Sequence, residues 1–416
     1  MSSTRREFLK SAIGGSAVLS LAPALPSLLT RAAVVGDGPD SDGDTILVVV
    51  QLSGGNDGLN TVVPYEDDAY GRSRSTLRLT GREVHKIESD LGFHPEMQAF
   101  WQLYQEGLAS VVQGVGYPNN DRSHDVALRE WHTARPGDMT CQTGWLGRAI
   151  DSVAEQDAVV APGAFVGPIA TPFALNAERS VVPSIVRAEQ FALREPGLMG
   201  RDVAGRDVSA TGSRGGDSSL LEHIRRTSEA ARAGSRRVRQ VLDAGGGGAD
   251  YPSLQLAGLL KMIAQLIRAD LGTRIFFTEL GGGGIGGFDN HAGQRDNHAA
   301  LLSQLSESVA AFARDLQRDG TLSRVLLMTF SEFGRTLSEN GRRGTGHGAA
   351  APSLLVGGRL RGGLVGRHPS LTDLDNDAPK FHTDYRRLYA TVLEEWLGFD
   401  CRPVLGRDYE PLDVLA

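Results

Sequence analysis

The segment Thr45-Ile46-Leu47-Val48-Val49-Val50-Gln51-Leu52 runs straight into Ser53-Gly54-Gly55-Asn56-Asp57-Gly58. Its first eight residues are largely apolar and β-branched, without polar alternation. That is the pattern of a strand covered on both faces in a mostly parallel sheet. The six that follow make a tight turn with a carboxylate at its tip, and open α/β sheets gather their ligands at such turns.

Working outward, Leu108 to Val115, Thr273 to Leu280 and Val325 to Phe330 repeat the buried-strand pattern, and Ser353 to Val356 is a shorter apolar run. Helical periodicity covers His94 to Tyr104, a segment from near Ser123, Trp145 to Val153, Ser219 to Asp243, Leu254 to Ala269, Asn297 to Arg318 and Tyr385 to Leu397. Within Asn297 to Arg318, Leu301, Leu305, Val309 and Phe312 form one apolar stripe. Strand followed by helix, without an internal repeat, predicts an α/β fold with a mostly parallel central sheet layered between helices. Asp202 to Gly216 and the run Gly245 to Gly248 are polar and glycine-rich. They bracket a helical or flexible insertion near residues 200–250, and residues 34–416 read as a single domain.

Residues 1–33 read as a twin-arginine export signal. Arg5-Arg6-Glu7-Phe8-Leu9-Lys10 precedes a small-residue, apolar stretch broken by Pro23 and Pro26, too interrupted for a spanning helix of about 20 apolar residues. Ala22-Pro23-Ala24 and Ala32-Ala33 compete as cleavage sites. The reading predicts a periplasmic or secreted protein that meets the twin-arginine translocation machinery folded and touches the membrane only through the signal segment. The net charge is −7; the segment through Ala24 contributes +2, so the remainder carries −9. This acidic balance argues against nucleic acid as a partner. The basic run from Arg225 to Arg239 reads as a solvated helix face. Two cysteines, Cys141 and Cys401, cannot build a thiolate zinc or iron-sulfur site, and whether they pair is not legible from spacing.

The chemically suggestive residues fall in four loops after predicted strands: the turn with Asp57; Asn119 to His124 with Ser123 at a helix start; Gly287-Phe288-Asp289-Asn290-His291; and Ser331-Glu332-Phe333-Gly334-Arg335 with the later Gly346-His347-Gly348. If the strands are parallel neighbours, all four open on one sheet edge. Asp57, Asp289, His291, Glu332 and His347 converging there would repel one another unless a divalent cation neutralised them. Oxygen and imidazole ligands without thiolate admit Zn²⁺, Mn²⁺ or Mg²⁺. Ser123 is the candidate nucleophile for a phosphorus or sulfur centre, or equally a plain helix cap. Arg335, Arg342 or Arg343 are candidates to hold the ester's anionic oxygens. His124, His132 and His382 read as structural.

These motifs, with Gly144-Trp145-Leu146-Gly147-Arg148 and Asp384-Tyr385-Arg386, resemble the bacterial family catalogued as domain of unknown function 1501 over nearly the whole chain. That family is similar in turn to the alkaline phosphatase-like superfamily of sulfatases, phosphodiesterases and phosphomutases. The resemblance implies an exported metal-dependent hydrolase of phosphate or sulfate esters, with a small-molecule or polymeric anionic ester as substrate. By it Asp57 would be the first-strand metal carboxylate, Ser123 the nucleophile, Asp289, His291 and His347 one metal site, and Glu332 a ligand shared with a second. Ser331-Glu332-Phe333 stands where the superfamily places an Asp-His pair, which removes an imidazole from that second site. The alternative is a non-catalytic periplasmic binding or assembly protein with a degenerate metal site.

Overall fold

The computed structural model describes residues 45–154, 163–186, 250–270, 272–281 and 287–416. The expected signal over 1–33, the basic run and the insertion up to residue 249 lie outside the described residues.

The strands that position the site are β1 (Ile46–Leu52), β2 (Ala109–Gly116), β3 (Gly163–Val166), β4 (Ser184–Ile185), β5 (Ile275–Leu280), β6 (Val325–Phe330), β7 (Arg335–Glu339), β8 (Thr345–His347), β9 (Ala351–Gly357), β10 (Gly363–Val365) and β11 (Thr383–Asp384). All but β7 and β8 join one sheet in the order β10-β2-β9-β6-β1-β5-β3-β4, with β11 also on β2. Only β9 runs antiparallel to its neighbours. The helices that matter here are α1 (Gln98–Gln105), α2 (His124–Thr133), α3 (Trp145–Ala154), α4 (Gln255–Arg268), α5 (Gln294–Arg318) and α6 (Tyr385–Ala390).

The unbroken apolar run of β1 follows from its central place. Ile46, Val48, Val50 and Leu52 pack into a layer shared with α1, α4 and α5. Leu47 and Val49 face the opposite layer, shared with α2, α3 and α6. Every residue of β1 is buried, and each aliphatic side chain so covered stabilises the fold by roughly 1.5–3 kcal/mol.

Two features depart from expectation. The stretch from Ser331 to His347, expected as a polar loop, contains the antiparallel ribbon of β7 and β8, with Arg335 opposite His347. The strand after it, β9, is antiparallel because the ribbon keeps the chain at the edge where β6 ends. No crossover helix carries it back, and a chain that stays at one edge can only return the opposite way. The short strands β3, β4, β10 and β11 are too brief to stand out by pattern.

Candidate metal centre

β1, β2, β5 and β6 run parallel, so the four loops after them share one edge of the sheet. Backbone bonds stitch those loops together. Phe288 donates its N–H to the Ser53 carbonyl at 2.9 Å. The Gly54 N–H donates to Glu332 Oε1 at 2.8 Å, and the Asn56 N–H to Ser331 Oγ at 2.9 Å. Gly54 makes the approach possible: its φ is +113°, and a Cβ there would lie 2.5 Å from the Asp289 nitrogen.

On this edge three imidazoles meet one carboxylate oxygen. Asp289 Oδ1 lies 2.9 Å from His291 Nε2, 3.2 Å from His347 Nε2 and 3.4 Å from His124 Nε2. The two Nε2 atoms of His291 and His347 are 2.9 Å apart. Ligand atoms of His124, Asp289 and His347 all fall within 4.8 Å of one another.

The opposite ring nitrogens set the tautomers. His347 Nδ1 lies 2.6 Å from the Arg122 carbonyl, and His124 Nδ1 lies 2.9 Å from Glu332 Oε1. Both partners only accept, so both Nδ1 atoms carry hydrogen, and the neutral rings turn Nε2 lone pairs toward Asp289. His124 Nε2 is buried and has no hydrogen-bond partner. Lone pairs aimed at a carboxylate oxygen repel unless a cation or a proton sits among them. The charges respond accordingly. Burial raises the Asp289 pKa, but Arg335 and the neighbouring histidines outweigh it and bring it to about 2. The hydrogen bond that His124 donates to Glu332 raises His124, while burial lowers His291.

The structure brings Asp289, His291 and His347 together as the loop motifs suggested, and adds His124, which sequence reasoning left as structural. The available signal was its place directly after Ser123, where the first helical residue still faces the sheet edge. Glu332 stands behind the cluster: it is 3% exposed, and its carboxylate holds His124 and the Gly54 N–H instead of facing the shared oxygen. Asp57 goes elsewhere. It is buried against Arg74, with an Arg74 Nη1 to Asp57 Oδ2 contact of 2.5 Å, and receives the Gln294 amide and the Leu59 N–H. A metal role for it is displaced by that ion pair, because both carboxylate oxygens already carry donors.

Arg335 is also committed inward. Its guanidinium donates to the carbonyls of Gly54, Gly55, Phe288 and Thr345 and to Asp289 Oδ1. It ties loops together and cannot also hold a substrate's oxygens. Arg342 and Arg343 sit exposed in the ribbon turn. Ser123 is exposed and precedes α2, yet its hydroxyl makes no capping bond; Asp121 Oδ1 takes its N–H at 2.6 Å instead. His132 is buried against Gln51, and His382 bonds with Thr383.

Three imidazoles and a carboxylate fit a divalent transition ion. Of these, the ligand atoms of His124, Asp289 and His347 form the compact group, the three protein donors of an open zinc site, and carboxylate-rich Mg²⁺ sites look different. Glu332 and the Arg122 carbonyl supply the outer partners that ligating histidines ordinarily have.

Fold and site together define an α/β protein carrying a His/Asp metal-type cluster at the carboxyl edge of its sheet. The chain belongs to the DUF1501 family, described as a protein of unknown function, which matches residues 44–410. No curated protein sequence matches it. Among solved structures it is similar to the zinc-bound C-terminal periplasmic domain of EcEptC from Escherichia coli, at 10% identity and TM-score 0.39, covering 76% of this chain and 74% of that one. It is also similar to an alkaline phosphatase superfamily protein from Vibrio parahaemolyticus, at 13% identity and TM-score 0.38, covering 92% and 77%. A third is the lipoteichoic acid synthase LtaP from Listeria monocytogenes, at 7% identity and TM-score 0.37, covering 81% and 72%.

Proposed function

We propose that the protein is an exported, metal-dependent hydrolase of phosphate or sulfate esters. The observation that carries this reading is the convergence of His124, His291 and His347 Nε2 atoms on Asp289 Oδ1, an arrangement that calls for a cation. His124, Asp289 and His347 would hold one divalent ion, with His291 beside it and zinc favoured by the donor set. The ion would stabilise negative charge on the ester's oxygens as a Lewis acid. Glu332 keeps His124 in its lone-pair tautomer, and Arg335 keeps Asp289 ionised. Ser123, with its hydroxyl free of the capping bond and its chain neighbours Arg122 and His124 both engaged in the cluster, is the proposed nucleophile.

The test is turnover of aryl phosphates and aryl sulfates by protein loaded with Zn²⁺, Mn²⁺ or Mg²⁺. The wild type should be active with at least one ion, and Ser123→Ala should abolish the rate while leaving bound metal unchanged. A wild type that binds metal yet stays inert across the ester panel supports the second reading, a periplasmic binding or assembly protein. The inward engagement of Arg335 and Asp57 favours that reading, since each is withdrawn from the role a two-metal ester hydrolase would give it. Export rests on the Arg5-Arg6 leader. No helix among the described residues is long and apolar enough to cross a membrane. Replacing both arginines by lysine should leave the protein in the cytoplasm.

A further inference from the structure

We infer that Ser53 and Glu279 form an acid–base relay that protonates the departing oxygen in the cleft beside the histidine cluster; this rests on the ester-hydrolase reading above. Ser53 lines the same cleft as Gly54, His124, Asp289, His291 and Glu332. It directly follows β1, with its N–H donated to the Leu280 carbonyl at 3.0 Å and its carbonyl accepting from Phe288, so its backbone is held in place from both sides.

The hydrogen-bond directions give its proton one side-chain acceptor. His132 Nε2 lies 2.7 Å from Gln51 Oε1, an atom that only accepts, so the imidazole donates. The Gln51 amide then donates to Ser53 Oγ at 2.7 Å, which leaves the Ser53 hydroxyl to donate to Glu279 Oε2 at 3.4 Å. Glu279 pairs with Gln51 in the parallel register of β5 and β1 and is 8% exposed. Among the described residues it has no cationic partner. Burial raises its pKa, with the Ser53 hydrogen bond opposing. His132, the titratable group next along the chain of bonds, is kept neutral by burial, its pKa lowered to about 3.

The pair has two consistent states. With Glu279 ionised, Ser53 donates to it. With Glu279 protonated, Ser53 accepts from both Gln51 and Glu279 and turns its own proton into the cleft. As the ester bond to phosphorus or sulfur breaks, that hydroxyl proton passes to the leaving oxygen and the Glu279 carboxyl proton passes to Ser53 Oγ. Glu279 is left as a carboxylate and regains its proton from water.

Glu279→Gln keeps the shape and removes the acid. On a series of esters from aryl to alkyl leaving groups, it should cut the rate by about 10²-fold or more for poor leaving groups and little for 4-nitrophenol, which leaves without help. Ser53→Ala should show the same dependence. Infrared difference spectra give a readout independent of turnover: the protonated-carboxyl band should vanish in Glu279→Gln, and its titration midpoint should rise in Ser53→Ala. A loss uniform across leaving groups, or an unmoved midpoint, overturns the relay and leaves the hydrolase reading standing. An inert wild type overturns both.

Discussion

Glu332 Oε1 accepts from His124 Nδ1 at 2.9 Å and from the Gly54 N–H at 2.8 Å. One buried carboxylate thereby orients an imidazole of the cluster and pins the first loop of the sheet edge. The residue that looked like a metal ligand in the sequence acts one step removed, through the ring it holds.

Glu332→Gln retains the acceptor but not the charge, and it should weaken metal binding about 10- to 100-fold, the usual effect of losing an outer partner. His347→Ala, which removes a donor outright, should weaken it further. Titration calorimetry with Zn²⁺ on both variants measures the difference; equal affinities for wild type and His347→Ala would show that the ion binds elsewhere.

The Asp57–Arg74 pair is a stability element. Asp57→Ala leaves Arg74 as a fully buried, partly unpaired charge, and breaking such a pair costs about 3–5 kcal/mol. Burial raises the Asp57 pKa, and Arg74 together with His298 and Gln294 more than reverses it, so the net shift is downward. A depressed carboxylate contributes stability that is complete above its unfolded value of about 3.9 and is lost as pH falls through the lower folded value. Urea unfolding of the variant near neutral pH should therefore show the full loss, shrinking in strong acid.

Burial lowers His94 to about 3, His132 to about 3 and His298 to about 4. These rings bind protons readily in the unfolded chain below about 6.5 and resist them when folded. Stability should then fall as pH drops from about 6.5 toward 4, by about 1.4 kcal/mol per pH unit for each ring. His132→Gln should flatten that slope by one proton in denaturation curves taken across the range. An unchanged slope would assign the loss to other groups.

Gly54→Ala should be among the costliest single changes at the sheet edge. Its positive φ and the 2.5 Å approach to the Asp289 nitrogen force the β1 and β5 loops apart. We expect a loss of about 1–3 kcal/mol together with weaker metal binding, read from thermal unfolding with and without Zn²⁺. Gly137→Ala, also at positive φ but with open space around it, should cost stability without touching the metal.

Cys141 and Cys401 are both free, the first half-buried and the second buried. Burial pushes the Cys401 thiol up to about 11. A thiol reagent should label Cys141 in the native protein and reach Cys401 only after unfolding. Labelling of neither, in non-reducing conditions, would indicate that they pair.

The buried strands β1, β2, β5 and β6 were legible because burial on both faces leaves an unbroken β-branched run, a local signature. The helices α2 to α5 were legible because one apolar stripe repeats with their turn. From these alone follow the α/β class and the collection of Ser123, Asp289, His291 and His347 onto the loops of one edge. The partner of each side chain was not legible. Asp57 and Glu332 occupy similar turns after similar strands, but Arg74 arrives beside one and His124 beside the other. Those arrivals depend on contacts across 17 and 208 residues. Spacing cannot report such pairings, because they are made by packing between elements and not by periodicity within them. The same holds for Arg335, whose guanidinium was free to face solvent until the β7–β8 ribbon folded it inward against four carbonyls.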